Sequence, residues 1–286
     1  MIEAKVVADS LSPAGVRLTT YVLRYPRFIH SEIMTHRMLS RNASSSRAIP
    51  ISKQIEAVLT EPATPLSFLK NKPGMQGGEE IPEQDEALKI WLAARDAAVE
   101  FAGKLAALGV HKQFSNRILE PFTHITVVAS ATEWDNFFAL RCHKDAQPEF
   151  QALAKAMYKV RETSKPEQLV ENEWHLPFIT QSEKNQFGYS TITHAVLVKC
   201  SVARCARVSY LNHDGSNPDI QKDLELHDKL VRNFPMHASP AEHQAWAVSD
   251  PNERSGNFRG FRQYRKSLVG ENVEQFDGSS LTEPKE

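Results

Sequence analysis

Residues 32–47 read EIMTHRMLSRNASSSR and concentrate polar groups within one short stretch of the chain. The three arginines, at positions 37, 41 and 47, carry planar forks of N–H donors that match phosphate and carboxylate groups. His36, Asn42 and four serines add further hydrogen-bonding groups. This stretch, which we call the signature segment, therefore predicts a cradle for an anionic ligand. The alternative interpretation is a charged helix that ends in a serine-rich cap and turn.

The residues around the signature segment predict a strand followed by a helix. Residues 16–23 alternate in a rough period of two and are rich in β-forming residues, and Pro26 ends this strand. From Phe28 to about Leu39 the apolar residues recur at helical spacing. We therefore expect the cradle to begin on a helix, to continue into a loop that contains Ser44, Ser45 and Ser46, and to end at Pro50. We call residues 44–49 the serine loop.

The overall composition favours a globular protein of a reducing compartment. The chain has 286 residues, with 34 Lys and Arg against 35 Asp and Glu, so it lacks the basic excess of a general nucleic-acid-binding surface. It has no apolar run of membrane-spanning length and no secretory leader, and its three cysteines suit no disulfide framework. These features predict a cytoplasmic protein.

The rest of the chain predicts one domain over residues 1–270, a flexible Pro- and Gly-rich loop at 60–83, and a disordered tail at 271–286. The expected helices lie at about 84–108, 111–120, 132–141, 146–161 and 219–233, with a strand at about 122–128. Residues 194–205 are apolar and fit a helix or a strand equally well.

Two further segments carry functional groups. In residues 237–243, HASPAEH, a proline after a serine predicts a helix N-terminus that could hold an anion. Adjacent Glu242 and His243 would face apart on a helix, so no metal site is predicted there. Residues 257–266, NFRGFRQYRK, could stack on bases and bind phosphate, or could form a solvated helix face.

Three blocks of the sequence together resemble the flavin-dependent thymidylate synthases. The signature segment resembles the family pattern Arg-His-Arg, seven residues, Ser, although Thr35 replaces the first arginine. Residues 116–121, 136–141 and 146–149 are similar to the family's C-terminal half, and residues 206–210 with 237–243 are similar to its N-terminal half. The order of the halves is reversed, which implies a circular permutation of an α/β (α+β) fold with an antiparallel sheet flanked by helices.

The resemblance implies a methyltransferase that carries a methylene group from 5,10-methylenetetrahydrofolate to C5 of dUMP and reduces it to give dTMP. FAD supplies the hydride and NADPH recharges the flavin, while the protein positions and polarises the reactants. The family also implies a homotetramer whose subunits share the active sites.

The resemblance also assigns roles to individual residues. Arg141, which contacts and polarises the uracil, and Ser45 are the expected catalytic residues. The expected substrate-binding set is Glu32, Ser44, Ser45, Ser46, Arg47, Arg117 and Arg141. The expected cofactor-binding set is His36, Arg37, Asn136, Ser209, His237, Ser239 and Glu242.

Several positions depart from the family pattern. Besides Thr35, they are Ala43 for a glutamate, Ser46 for a glycine, Asp145 for a histidine, and Ser130 and Thr132 for an asparagine and an arginine that face the flavin. Arg259, Arg262 and Arg265 could supply the missing positive charge. The alternatives to dTMP synthesis are a related flavoenzyme that modifies C5 of another pyrimidine nucleotide, for example by hydroxymethylation, and a non-catalytic nucleotide- or nucleic-acid-binding protein.

Overall fold

The computed structural model describes residues 1–187, 191–208, 219–233 and 236–272. Its main sheet has five strands in the order β3-β4-β2-β1-β5. All neighbouring strands are antiparallel except β1 and β5, which are parallel. These strands are β1 (Glu3–Leu11), β2 (Arg17–Pro26), β3 (Ser40–Ala43), β4 (His124–Ala131) and β5 (Glu167–Gln168). The sheet and its flanking helices confirm the predicted fold class.

Five short strands form two small sheets, and the helices fill the rest of the fold. The strands are β6 (Trp174–His175), β7 (Ala245–Ala247), β8 (Arg254–Ser255), β9 (Phe258–Arg259) and β10 (Phe261–Gln263). The α-helices are α1 (His30–Met34), α2 (Ile51–Thr60), α3 (Gln84–Ala107), α4 (Lys112–Ser115), α5 (Asp135–Arg141), α6 (Pro148–Thr163), α7 (Gln181–Phe187), α8 (Thr191–Ala206) and α9 (Ile220–Val231). Short 3-10 helices lie at Arg27–Ile29, Asn116–Phe122, Ser239–Glu242 and Tyr264–Ser267.

Strand β2 lies inside the main sheet, between β1 and β4, and other elements of the fold cover both of its faces. Tyr21, Leu23 and Tyr25 share one face, as alternate residues of a strand do, and pack against the aromatic side chains of α5 and α6. On the other face Leu18 packs against Phe258 and Phe261 near the end of the described chain. The sheet is therefore enclosed between helices of the first half of the chain and elements of the second half.

Several elements differ from the sequence predictions. The helix expected from Phe28 to Leu39 ends at Met34, and residues 40–43 form strand β3 at the edge of the main sheet. Pro121 lies inside a 3-10 helix instead of ending one. The ambiguous segment 194–205 belongs to helix α8. Residues 61–83 contain only an isolated bridge between Leu69 and Glu80.

The long helix predicted at 84–108 is confirmed as α3, and Gly109, with φ of 79°, follows its C-cap residue Leu108. At this left-handed conformation a glycine avoids the steric cost of a side chain. Within the described residues, no helix has the length and apolar character needed to cross a membrane.

Candidate functional site

The signature segment folds as a turn between α1 and β3, and Arg41 holds this turn together. Its guanidinium donates to the carbonyl oxygens of Ile33, Met34 and His36 at 3.0–3.1 Å, which satisfies acceptors that the end of α1 leaves free. Burial lowers the pKa of Arg41. Arg41 therefore shapes the cradle from within, and its charge is directed at the backbone.

The turn brings His36 against Arg141, which α5 presents from the other side of the core. Arg141 Nε donates to His36 Nε2 at 2.9 Å, and its guanidinium lies 4.3 Å from the centre of the Phe150 ring. Glu32 Oε2 is 3.6 Å from Arg141 Nη1. Burial, with the charge of Arg141 second, lowers the pKa of His36 to about 4, so the imidazole is neutral at pH 7 and accepts this hydrogen bond. Arg141 is thus held in one orientation, with 22% of its side chain exposed.

The serine loop after β3 is fastened to the segment 112–122. Asn116, which is fully buried, donates to the carbonyl oxygens of Ser46 and Ile49 at 2.6 and 2.9 Å. Ser46 Oγ donates to Glu120 Oε1 at 2.7 Å, and Ser44 Oγ accepts from the Thr126 backbone N–H at 3.1 Å. Two of the three predicted substrate-binding serines are therefore already engaged within the chain.

Ser45 and Arg47 lie on the open side of the same loop and line a cavity of about 390 Å³. Arg47 is exposed and forms no ion pair with any residue that the structure describes. The opposite wall includes His237 and Ser239 from the second half of the chain. The full lining is Asn42, Ser45, Arg47, Ala48, Gln113, Ala206, Leu230, His237, Ser239 and Pro240. The cavity therefore joins two segments that lie about 200 residues apart in the sequence.

Asn42 connects these two segments directly. Its amide nitrogen donates to the Cys205 carbonyl oxygen at 2.8 Å, and its Oδ1 accepts from Ser239 Oγ at 3.5 Å. Asn42 lies in the signature segment but was not among the residues assigned to substrate or cofactor binding, and its place on β3, the edge strand of the main sheet, became evident only from the strand pairing. Gln113 was likewise missed, because nothing in the short helix α4 distinguishes it in the sequence.

The structure of residues 237–243 differs from the prediction of a helix N-terminus there. Ser239–Glu242 form a single 3-10 turn, too short to provide the helix N-terminus that Ser239-Pro240 had suggested. Its carboxylate, Glu242, pairs with Arg265. His243 is fully buried, with burial lowering its pKa to about 3, and faces Ser130 at 2.8 Å.

Residues 257–266 are neither a helix face nor a surface for stacking bases. Phe258 and Phe261 are fully buried in the core. The basic side chains pair with carboxylates instead of remaining free: Arg259 with Glu133, Arg262 with Glu253, Arg265 with Glu242 and Glu271, and Lys266 with Glu271. These contacts argue against the nucleic-acid-binding interpretation of this segment.

Residues 257–266 also hold two elements of the candidate site together through Gln263. Gln263, which is 2% exposed, donates through Nε2 to Ser40 Oγ at 3.0 Å and to the Glu242 carbonyl oxygen at 2.9 Å. It therefore ties strand β3 to the 3-10 turn at Ser239–Glu242. Gly256 makes room for it: at φ of 58°, a Cβ there would lie 2.2 Å from Gln263 Oε1. The sequence showed the basic and aromatic residues of this segment but gave no sign that its glutamine was the buried contact.

The predicted site residues thus fall into two groups within one chain. Arg141, His36 and Glu32 form one cluster, and Ser45, Arg47, His237 and Ser239 form the cavity; no hydrogen bond or ion pair between described residues joins the two groups. Arg37 and Asn136 are exposed and have no hydrogen-bond partner among the described residues. Arg117 lies next to the serine loop and pairs with Glu120 at 3.4 Å. Ser209 lies outside the described residues.

In the described part of the chain, no group of three or more His, Cys, Asp or Glu side chains could hold a metal ion. The cysteines Cys142, Cys200 and Cys205 are all free, and burial raises the pKa of each thiol. None of the three therefore has the lowered pKa that favours a nucleophilic thiolate.

Comparison with known proteins gives a family match and distant similarities to solved structures. Among the similar structures are two of a UMP/dUMP methylase PolB from Streptomyces cacaoi, one bound with 5-Br dUMP and one with 5-Br UMP. They share 16% and 18% identity with this chain over 57% of its length and cover 90% and 89% of their own chains, with TM-scores of 0.49 and 0.46. Similarity at this level assigns no function. No curated protein sequence matches the chain.

The family match covers residues 12–167, which is more than half of the 286 residues. It includes the signature segment and the blocks that contain Arg117 and Arg141, and it ends before the last two blocks of the sequence. By this match, the chain belongs to the family described as thymidylate synthase complementing protein.

Proposed function

We propose that this protein is a flavin-dependent thymidylate synthase that converts dUMP to dTMP. The observation that carries the proposal is the cavity in which Ser45 and Arg47 of the signature segment meet His237 and Ser239. Family membership supports a role in thymidylate synthesis. The PolB structures bound to 5-Br dUMP and 5-Br UMP are in accord with a pyrimidine nucleotide substrate but are too distant to carry the proposal.

In this proposal Arg47 and Ser45 bind the nucleotide. An unpaired guanidinium at the mouth of a cavity can bind a phosphate through two parallel hydrogen bonds, and the Ser45 hydroxyl can complete the contact. The loop that carries both residues is anchored by Asn116 from behind. Anchoring reduces the entropy lost when the loop binds a ligand.

Arg141 is the proposed electrophilic group. Because neutral His36 accepts from its Nε and Phe150 supports its face, the guanidinium is already oriented before the substrate binds. A fixed donor aimed at a uracil carbonyl stabilises the negative charge that develops on oxygen when the ring reacts at C5. Within one chain Arg141 and the Ser45–Arg47 cavity form separate clusters, so we propose that a homotetramer brings the two together from different subunits.

The residues proposed to hold FAD suit an anionic dinucleotide. Arg37, Asn136 and His237 are exposed and offer a cation, an amide and an imidazole, which match the donor requirements of a pyrophosphate. When bound, the flavin would supply the hydride that reduces the transferred methylene group, with NADPH as reductant and methylenetetrahydrofolate as the one-carbon donor. Glu242 is already paired with Arg265, so its contribution to binding would be through the position of the turn.

We further propose that the chain is a circular permutation, with residues 200–245 in the place of the family's N-terminal half. The contacts of Asn42 with Cys205 and Ser239, and of Ser130 with His243, support this because they join the late blocks to the signature segment and to β4. Permutation is physically tolerable where chain termini lie at the surface.

The first experiment is the visible absorption spectrum of the purified protein, repeated after adding FAD and then dUMP. We expect an oxidised-flavin spectrum that shifts when dUMP binds, followed by formation of dTMP when methylenetetrahydrofolate and NADPH are added. A product other than dTMP would indicate the related C5-modifying enzyme. A colourless protein that binds no nucleotide would contradict the proposal.

A further inference from the structure

The Glu120 carboxylate is an anion of the protein itself that lies against the serine loop. Glu120 Oε1 accepts from Ser46 Oγ at 2.7 Å, and both Glu120 oxygens lie 3.4 Å from Arg117 Nη1. Arg27 Nη1 is 3.7 Å from Glu120 Oε1. The carboxylate therefore engages Ser46 and Arg117, two members of the proposed nucleotide-binding set, and offsets the positive charge of Arg27 beside them.

The position of Glu120 is fixed by the fold. It lies in the 3-10 helix Asn116–Phe122, whose turn is secured by Thr123, since the Thr123 backbone N–H and Oγ1 both donate to the Glu120 carbonyl oxygen. The loop cannot easily move away from it, because Asn116 and Lys112 bind the carbonyl oxygens of Ser46, Ile49 and Ala48. Only 22% of the Glu120 side chain is exposed.

A carboxylate and a phosphate compete for the same donors. Arginine forks and hydroxyls bind either group, and a second anion nearby adds repulsion that is poorly screened where the charges are partly buried. Arg47, on the open side of the loop, is left as the unpaired cation of the set within the described residues. A phosphate bound at Ser45 and Arg47 would lie across this short loop from the negative charge of Glu120.

We propose that Glu120 is a specificity-determining residue that weakens the preference of this site for a 5′-phosphorylated pyrimidine nucleotide over the unphosphorylated nucleoside. This inference rests on the proposed function, because it assumes that the serine loop binds the phosphate end of the substrate. Glu120 acts by occupying Ser46 and Arg117 and by repelling the phosphate dianion.

The test compares the Kd of dUMP with the Kd of deoxyuridine by titration calorimetry on the full-length protein. In the wild type we expect deoxyuridine to bind less than about tenfold more weakly than dUMP, where each tenfold is 1.4 kcal/mol. Glu120→Gln keeps the shape and an oxygen that accepts from Ser46, loses one of the two oxygens that face Arg117, and removes the charge. It should tighten dUMP binding by about fivefold or more and change deoxyuridine binding by less than about twofold.

Glu56→Gln is the matched control, since it removes one exposed carboxylate from α2, away from the serine loop, and should leave both affinities unchanged. A wild-type preference for dUMP above about a thousandfold, or an unchanged preference in Glu120→Gln, would overturn the role of Glu120 while leaving the proposed function intact. The wild-type ratio decides the matter even if the variant fails to fold. If neither ligand binds the wild type, the proposed function fails together with this inference.

Discussion

At the scale of single residues, the proposed function depends on two arginines in different environments. Arg141 is packed against Phe150 and oriented by His36, whereas Arg47 is exposed and has no ion pair among the described residues. An oriented, partly buried cation is suited to stabilising charge in a transition state, and an unpaired cation at a cavity mouth is suited to binding a phosphate. Their replacement should therefore affect different kinetic constants.

Arg141→Ala should lower kcat by at least about a hundredfold, the typical cost of losing one preorganised donor, while leaving flavin binding unchanged. Steady-state dTMP formation and the flavin absorption band measure the two effects separately. Arg262→Ala removes the same charge from an exposed pair with Glu253 and should retain full activity. Full activity in Arg141→Ala would show that this residue does not polarise the substrate.

Arg47→Ala should raise the Kd of dUMP by about tenfold to a hundredfold with little change in thermal stability, because the side chain is exposed and forms no ion pair within the described part of the chain. Arg37→Ala is the matched comparison: it removes an equally exposed charge from the same segment and should weaken FAD binding instead. Calorimetric titration with each ligand separates the two. Equal losses of dUMP affinity in both variants would contradict the division of the segment into substrate and cofactor contacts.

At the scale of secondary-structure elements, buried polar contacts connect the two halves of the chain. A row of hydrogen bonds runs from His175 to Thr20, from Thr20 to Ser130 and from Ser130 to His243, at 2.6–2.8 Å. It links β6, β2 and β4 to the turn beside the cavity. Both histidines are fully buried, and burial lowers the pKa of each to about 3.

This row of contacts predicts a dependence of stability on pH. Since the folded pKa of each histidine lies below its unfolded value of about 6.5, the unfolded state takes up protons first and the free energy of unfolding falls as the pH drops from about 6.5 toward 3. Each histidine contributes up to about 1.4 kcal/mol per pH unit in this window. His243→Asn should make the slope shallower by about one proton in urea unfolding measured between pH 7 and 5. If His243→Asn leaves the slope unchanged, His243 takes up its proton in the folded state as it does in the unfolded state, and the assigned burial effect is wrong.

Gln263 provides the second link between elements, from β10 to β3 and to the turn at Glu242. Gln263→Ala removes both hydrogen bonds from a buried position and leaves the Glu242 carbonyl without this donor, so it should lower the free energy of unfolding by about 2–3 kcal/mol. Gln221→Ala, at an exposed position of α9, should change it by less than about 0.5 kcal/mol. Chemical denaturation measures both. Similar small effects would show that the C-terminal segment does not support the site.

At the scale of the whole molecule, the proposed tetramer needs a surface through which subunits associate. Helix α3 and the Leu108 residue that caps its C-terminus carry three exposed apolar side chains, Ile90, Phe101 and Leu108, at 64%, 54% and 80% exposure. They are spaced eleven and seven residues apart, close to three and two whole turns, so they lie along one face of the helix. An apolar stripe of this kind is typical of a protein–protein contact.

Phe101→Asp should therefore lower the molar mass in solution, because a charge at a buried contact is costly. It should also reduce dTMP formation if subunits share the active site. Light scattering coupled to size exclusion measures the mass, and Val170→Asp, at an exposed apolar position outside α3, serves as the control. A wild-type monomer that is active would contradict the shared site.

The local sequence determined most of the secondary structure and predicted the chemistry of the candidate site. Alternating residues predicted β2, the apolar stripe predicted α3, and the density of donors in residues 32–47 predicted an anion cradle, because strand and helix periods and donor types are local properties. The resemblance of separate blocks predicted the family, which the match over residues 12–167 confirms.

Only the tertiary structure decided which of these groups meet. Residues 40–43 form a strand because they pair with β4, and that pairing places Asn42 against Cys205 and Ser239. Contacts between residues far apart in sequence bury Phe258 and Phe261 of residues 257–266 in the core. Such contacts also place the Glu120 carboxylate beside the side chains that are proposed to donate to the phosphate. Burial and long-range pairing are properties of the folded chain, so no local pattern could show that Arg117 faces a carboxylate while Arg47 has no ion pair among the residues that the structure describes.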